Sequence, residues 1–263
     1  MRWLFLLCFC GYLFGTQSFA ADKRDYQLGP GDTVRITVYD HPDLTTDARI
    51  SETGSIQLPL LGDVVLRGRT TAEAGEQLAK QLDQGGFVKQ PQVTLMVVQY
   101  RSQQISVLGY VSRPGKYPIE QSSTLLDLLA LAGGVQLIAG DTAILMRADD
   151  PAKTRRELDL AAFFEKGDAT QNPEVTNGDV IYVPREPRFY IYGEIQRPAA
   201  YRIERNMSVI QALSVAGGLT MRGTERRLKV NRRDAAGVLR SISIKLDDMV
   251  LPNDVIYVTE SLF

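Results

Sequence analysis

Side chains able to do acid–base, nucleophilic or metal chemistry are sparse in this chain of 263 residues. His41 is the only histidine, so neither a histidine-based triad nor a multi-histidine metal site can be assembled. It lies in Asp40-His41-Pro42-Asp43, whose residue types favour turns, and it reads as a surface loop residue following a strand. The adjacent carboxylates Asp149-Asp150 and Asp247-Asp248 could hydrolyse a glycan only if a pair flanked one glycosidic bond. Their polar, turn-like surroundings point to solvated turns instead. No phosphate-cradling or dinucleotide-binding glycine fingerprint is present. The expectation is a chain that is not an enzyme, with no catalytic residue, no metal site and no cofactor.

Recognition chemistry is better represented. Arg113 and Tyr117 recur as Arg197 and Tyr201; arginine can pair with acidic sugars and tyrosine can stack on a sugar face. The same four residues stand beside structural Gly and Pro, so a role in the repeated hairpin explains them as well. They are the candidate subunit-interface or saccharide contacts. The pairs Arg155-Arg156, Arg226-Arg227 and Arg232-Arg233 read as solvated or interface charges.

The elements that must position these residues come from a repeat. Val107-Leu-Gly-Tyr-Val-Ser-Arg-Pro-Gly-Lys-Tyr-Pro-Ile-Glu120 returns as Ile191-Tyr-Gly-Glu-Ile-Gln-Arg-Pro-Ala-Ala-Tyr-Arg-Ile-Glu204, and Ala132-Gly133-Gly134 returns as Ala216-Gly217-Gly218 at the same offset. Asp179-Val-Ile-Tyr-Val183 recurs as Asp254-Val-Ile-Tyr-Val258 after a shorter connection. Two tandem copies of one module are therefore present. In each, an apolar strand ends at Gly-x-x-x-Arg-Pro, and a returning strand follows. A helix then opens at Thr124-Leu-Leu-Asp127 or Ser208-Val-Ile-Gln211, a hydroxyl cap with an acceptor three residues on. Leu125, Leu128, Leu129 and Ala132 share one helical face, as do Val209, Ala212, Leu213 and Ala216. The Gly-Gly pair supplies a left-handed C-terminal cap. Strands at 143–147 with 157–160, and at 228–231 with 242–246, precede the closing Asp-Val-Ile-Tyr-Val. The module reads as a small mixed sheet over a single helix.

Residues 22 to about 102 differ. A tight turn at Leu28-Gly-Pro-Gly-Asp32 leads into Val34, Ile36 and Val38 alternating with Arg35, Thr37 and Tyr39, a half-buried strand. Short strands follow at 54–62 and 64–66. Thr70-Thr-Ala-Glu73 opens a helix to about Asp83, and Pro91–Val98 is a further strand. This module too is α+β.

The ends and charge restrict the setting. Arg2, the apolar run Trp3–Phe14 and Ser18-Phe19-Ala20 make a secretory leader cleaved after Ala20, too short in its apolar part to span a bilayer. Cys8 and Cys10 both fall inside it, which leaves the mature chain without thiols. Neither cysteine has the setting of a lipidation site. The net charge of -1 becomes about −2 without Arg2, which excludes an electrostatic nucleic-acid binder. The expected domains are 1–20, leader; 21–102; 103–186; and 187–263.

Tyr26-x-Leu-Gly-Pro-Gly-Asp32, Gly54-Ser-Ile-x-Leu-Pro-Leu-x-Gly62, Gly68-x-Thr70 and Pro91-x-Val93 resemble the N-terminal domain of the polysaccharide export family. The family usually has Asp where this chain has Thr53. Gly-x-x-x-Arg-Pro-x-x-Tyr, Ala-Gly-Gly and Gly178-Asp-Val-Ile-Tyr-Val183 resemble its soluble-ligand-binding β-grasp (SLBB) module, present twice. The resemblance implies an α+β chain with an export domain followed by two tandem β-grasp-like modules. It implies a periplasmic subunit, associated with the outer membrane, of a homo-oligomeric ring that conducts capsular polysaccharide or exopolysaccharide. Its partners would be an inner-membrane polysaccharide co-polymerase and, since the chain ends at the strand Asp254–Val258 with five more residues, a separate outer-membrane β-barrel. The rival readings are a monomeric periplasmic saccharide-binding module and a polysaccharide hydrolase or lyase.

Overall fold

The computed structural model describes residues 25–120, 122–152 and 154–261; the leader assigned to residues 1–20 lies outside them. The described chain builds three separate hydrophobic cores, one after another along the sequence.

The first module contains β1 (Thr33–Val38), β2 (His41–Arg49), β3 (Ser55–Leu58), β4 (Gly62–Val65), α1 (Thr71–Gln84) and β5 (Val93–Gln99). β1 is the centre of an antiparallel sheet in the order β2-β1-β5, and β3 and β4 form a separate hairpin. Alternation puts Val34, Ile36 and Val38 in the core and turns Thr33, Arg35 and Thr37 outward. Ala74, Leu78 and Leu82 of α1 are buried as well. The helix starts at a full capping box: the Glu73 amide donates to Thr70 Oγ1 (3.2 Å) and the Thr70 amide to Glu73 Oε2 (2.9 Å).

His41 is not a loop residue. The chain reverses at Tyr39-Asp40, where Asp40 takes φ of 61°, and His41 already pairs with Val38 as the first residue of β2. Pro42 sits inside this strand because β2 is a sheet edge and owes no ladder bond on its outer side.

The second module runs through β6 (Gln104–Gly109), β7 (Gly115–Pro118), β8 (Ser123–Thr124), α2 (Leu125–Leu131), β9 (Thr142–Met146), β10 (Arg155–Asp159), α3 (Leu160–Lys166), a 3-10 turn at Ala169–Gln171, β11 (Glu174–Val175) and β12 (Val180–Val183). The third has β13 (Arg188–Gly193), β14 (Ala199–Arg202), α4 (Val209–Val215), β15 (Lys229–Arg233), β16 (Leu239–Ser243) and β17 (Val255–Val258). Their sheets run β10-β9-β12-β6-β7 and β16-β15-β17-β13-β14. Element for element these are one topology. In each, the first and last strands of the module lie parallel at the centre and every other pair is antiparallel. The buried faces of α2 and α4 complete the two cores.

The copies differ where the repeat offset slips. The first copy inserts α3, the 3-10 turn and β11 between β10 and β12, whereas β16 passes to β17 without a further helix or strand. α3 is a second helix where one per repeat is expected. Its signals are local: Asp159 accepts from the Ala162 amide as N-cap, and Gly167 (φ 68°) closes it as a left-handed C-terminal residue.

Candidate functional site

Arg113 and Tyr117 meet at the β6–β7 hairpin, and Arg197 and Tyr201 meet at the β13–β14 hairpin in the same way. The Tyr117 hydroxyl donates to the Arg113 carbonyl (2.5 Å), and the Tyr201 hydroxyl to the Arg197 carbonyl (2.7 Å). Each guanidinium reaches the last turn of the neighbouring helix. Arg113 donates to Leu131 O (2.9 Å) and Arg197 to Val215 O (3.1 Å); a cation there satisfies a free carbonyl and complements the helix dipole. The hairpin backbone is tied to the Gly-Gly loop as well: the Ser112 amide donates to Gly134 O and the Gln196 amide to Gly218 O. These hydrogen bonds lie within one hairpin–helix unit, repeated twice.

The hairpin begins at a glycine for a steric reason. Gly109 and Gly193 have φ of 87° and 93°. A Cβ would fall 2.1 Å from the Val183 carbonyl oxygen at the first and 2.2 Å from the Val258 oxygen at the second. That carbonyl belongs to the parallel central strand, so glycine is required for the closing strand to pair at all.

Three buried aspartates organise the modules, and their role is not visible from the repeat alone. Asp32, Asp179 and Asp254 precede β1, β12 and β17 and are at most 1% exposed. Each accepts the amide three residues back, from Gly29 (3.0 Å), Thr176 (2.8 Å) and Leu251 (2.8 Å), which closes a turn through the side chain. Each also clamps a second segment. Asp179 takes Arg147 (2.8 Å) and the Ala148 amide (2.9 Å), and Asp254 is held by two Arg232 nitrogens (2.8 and 2.6 Å). Arg232 is therefore not a solvated charge but half of an internal ion pair matching Arg147–Asp179. Asp32 instead accepts from the Arg101 and Ser102 amides, the Ser102 hydroxyl and the Tyr26 hydroxyl, so it ties the exit of the first module to its entrance. Burial, with the nearby Asp32 carboxylate, pushes the Tyr26 hydroxyl well above the usual phenol range. Gly29 packs under this joint, where a Cβ would lie 2.6 Å from Ser102 Cβ. The available signal was a Gly-Asp or Asn-Asp step before each central strand.

The carboxylate pairs serve turns. Asp150 accepts from the Ala152 and Thr154 amides, and Asp248 from the Lys245 amide. Among the described residues no cluster of three or more His, Cys, Asp or Glu side chains is arranged to hold a metal ion.

Two surfaces remain open. The loop after each Gly-Gly pair projects an apolar residue into solvent, Leu137 in the first copy and Met221 in the second, with exposures of 96% and 103%. Beside the first loop, Leu126, Leu129, Ala130, Val135, Ala161 and Phe164 line an apolar groove of about 620 Å³. The other surface is a polar cleft of about 690 Å³ at the joint between the first and second modules, lined among others by Arg49, Glu52, Gln99, Tyr100, Arg101 and Gln104. The motif turn contributes Pro30 and Gly31 to the cleft and the Gly-Gly pair contributes Gly134 to the groove, but the rest of each lining combines residues distant in sequence.

Comparisons with known proteins agree with this layout. A family described as polysaccharide biosynthesis/export protein matches residues 20–98, and SLBB domains match 103–183 and 188–243. The chain is 30% identical over 246 residues to the EPS I polysaccharide export outer membrane protein EpsA of Ralstonia solanacearum, covering 82% of this chain and 64% of that protein. It is 25% identical to the polysialic acid transport protein KpsD of Escherichia coli, over 78% of this chain and 38% of the relative. It is also 25% identical to the capsule polysaccharide export outer membrane protein CtrA of Neisseria meningitidis, over 68% and 45%. The chain thus spans less than two thirds of the length of these relatives. No described helix is long and apolar enough to cross a membrane. With an export domain followed by two SLBB domains, the chain belongs to the polysaccharide export family.

Proposed function

We propose that this protein is a non-catalytic periplasmic subunit of a capsular or exopolysaccharide export complex, forming or bridging a ring-shaped conduit. It would work between an inner-membrane co-polymerase and a separate outer-membrane β-barrel. The observation that carries the reading is the sequence similarity to an export outer membrane protein across most of the chain, in a chain that combines an export domain with two SLBB domains. The surface chemistry is consistent with it. The buried aspartates and their arginine partners are consumed by turns and strand ends, whereas the exposed apolar tips Leu137 and Met221 and the groove beside α2 are the kind of surface that association covers. Contacts between such unlike surfaces are head-to-tail, and they close into rings when the rotation allows.

A strain lacking the gene should still synthesise polymer but retain it inside the cell. Normal secretion by that strain would remove the conduit reading. Light scattering of the exported chain at several concentrations, alone and with the periplasmic part of the co-polymerase, should give a discrete multimer in at least one condition.

A further inference from the structure

The polar cleft at the joint of the first and second modules has the chemistry of an anion-tolerant sugar site. Across the sheet, Thr33 pairs with Arg49 on β2 and, past a register slip between Thr33 and Val34, with Gln99 on β5; Arg49 and Gln99 both line the cleft. Thr33 points away from the core, because Val34 is buried, and cross-strand neighbours share a face. Two rows along the same outer face, Arg35 is neutralised by Asp47 in a two-point ion pair of 2.7 and 2.8 Å. Arg49 has no such partner, and neither does Arg101; neither guanidinium forms an ion pair with any described residue. Both line the same cleft.

The position of Arg101 is set rather than left to a loose linker. Its own amide and that of Ser102 are held by the buried Asp32 carboxylate at 2.7 and 2.8 Å. Tyr100 is braced edge-on against Tyr26, ring centres 4.8 Å apart, and Gln103 donates to the Gln27 carbonyl. The cleft wall is therefore fixed backbone carrying two unneutralised guanidiniums, an aromatic ring, the amides of Gln99 and Gln104, and one acceptor, Glu52. Guanidiniums bind carboxylates through paired N–H donors. Amides and Glu52 suit hydroxyls, and an aromatic face suits the C–H face of a pyranose. The cleft is open to solvent, so a bound sugar unit is only partly enclosed.

We infer that this cleft is a transit subsite for carboxylate-bearing sugar units, with Arg49 and Arg101 as its anion contacts. The inference rests on the export reading, which is what brings a polysaccharide to this surface.

Binding of the purified exported chain to trigalacturonate, to maltotriose and to triglutamate, measured by NMR titration at low salt, tests it. Trigalacturonate should bind at least tenfold more tightly than the other two. The Arg49→Ala/Arg101→Ala variant should lose that preference, Arg49→Lys/Arg101→Lys should keep part of it, and Arg35→Ala/Asp47→Ala should leave it intact. All variants change exposed side chains, and unchanged melting temperatures would confirm that they fold. Equal binding of maltotriose, equal binding of triglutamate, no binding at all, or full binding by the alanine double variant would each overturn the proposal. Loss of secretion in the deletion strain with no trigalacturonate binding removes the cleft alone. Trigalacturonate binding with normal secretion removes the conduit and leaves a saccharide-binding surface.

Discussion

At the residue scale, the repeated glycines and aspartates act through sterics and burial rather than through any reaction. Gly109→Ala should cost about 2 kcal/mol or more, because a left-handed residue acquires a side chain that also collides with the Val183 carbonyl oxygen. Gly134→Ala, with a comparable φ of 79° and open space around its Cβ position, should cost about 1 kcal/mol, the backbone penalty alone. Denaturant unfolding of the two variants side by side separates the clash from the strain. Asp254→Ala leaves Arg232, about a quarter exposed, without its partner and removes the turn acceptor for Leu251. A loss of about 3 kcal/mol is expected, read as early melting of the third module by calorimetry. An unchanged melting profile would show that solvent replaces the carboxylate without cost.

At the element scale, the segment leaving β12 is tied back to the second module by backbone, and the two SLBB modules are joined by charge. The Glu186 amide donates to Ile138 O and the Gly140 amide to Pro184 O. Arg202 reaches Asp141, and Arg205 reaches Asp159. Asp159 is thereby bonded to a cation from the third module while it caps α3 of the second. The Arg205 hydrogen bond, ahead of burial which acts in the other direction, holds the Asp159 carboxyl below its usual range. A depressed carboxyl stabilises the folded state above its unfolded pKa of about 4 and loses that contribution as pH falls through the folded value. The charged link between the modules should therefore persist from neutral pH down to about 4 and weaken below it. In Arg205→Ala, NMR titration should place the Asp159 transition higher than in the parent while the α3 amides stay protected. An unmoved transition would mean that the cap, not Arg205, sets this carboxyl. The pairs are partly exposed and screened by solvent, so they orient the modules more than they stabilise them.

At the scale of the whole molecule, the apolar tips at Leu137 and Met221 are exposed, and the proposed assembly would cover them. Leu137→Ser/Met221→Ser should leave the melting temperature unchanged and weaken self-association at least tenfold, about 1.4 kcal/mol. Light scattering across a concentration series checks it, and an unaltered multimer would place the contact elsewhere. The same variant introduced in the deletion strain should restore less secretion than the wild-type chain.

Much was determined by the sequence by itself. The tandem repeat, the central strand of each module, the capped helices α1, α2 and α4 and the export-domain turn are encoded by short-range patterns: apolar periodicity, a hydroxyl three residues before an acceptor, and Gly-Gly at a helix end. Such signals act over a few residues and survive without tertiary context. Strand limits around Met146 and Ser243 moved by a residue or more, because the ends of a ladder are set by the neighbouring strand. α3 escaped notice although Asp159 and Gly167 mark its ends, since its connection has no counterpart in the second copy. The pairing of Arg147 with Asp179 and of Arg232 with Asp254, and the cleft that gathers Arg49 and Arg101 on one face, were decided only by the tertiary structure. In each case the partners are brought together by sheet order and register, and a buried carboxylate takes whichever cation the fold delivers to it.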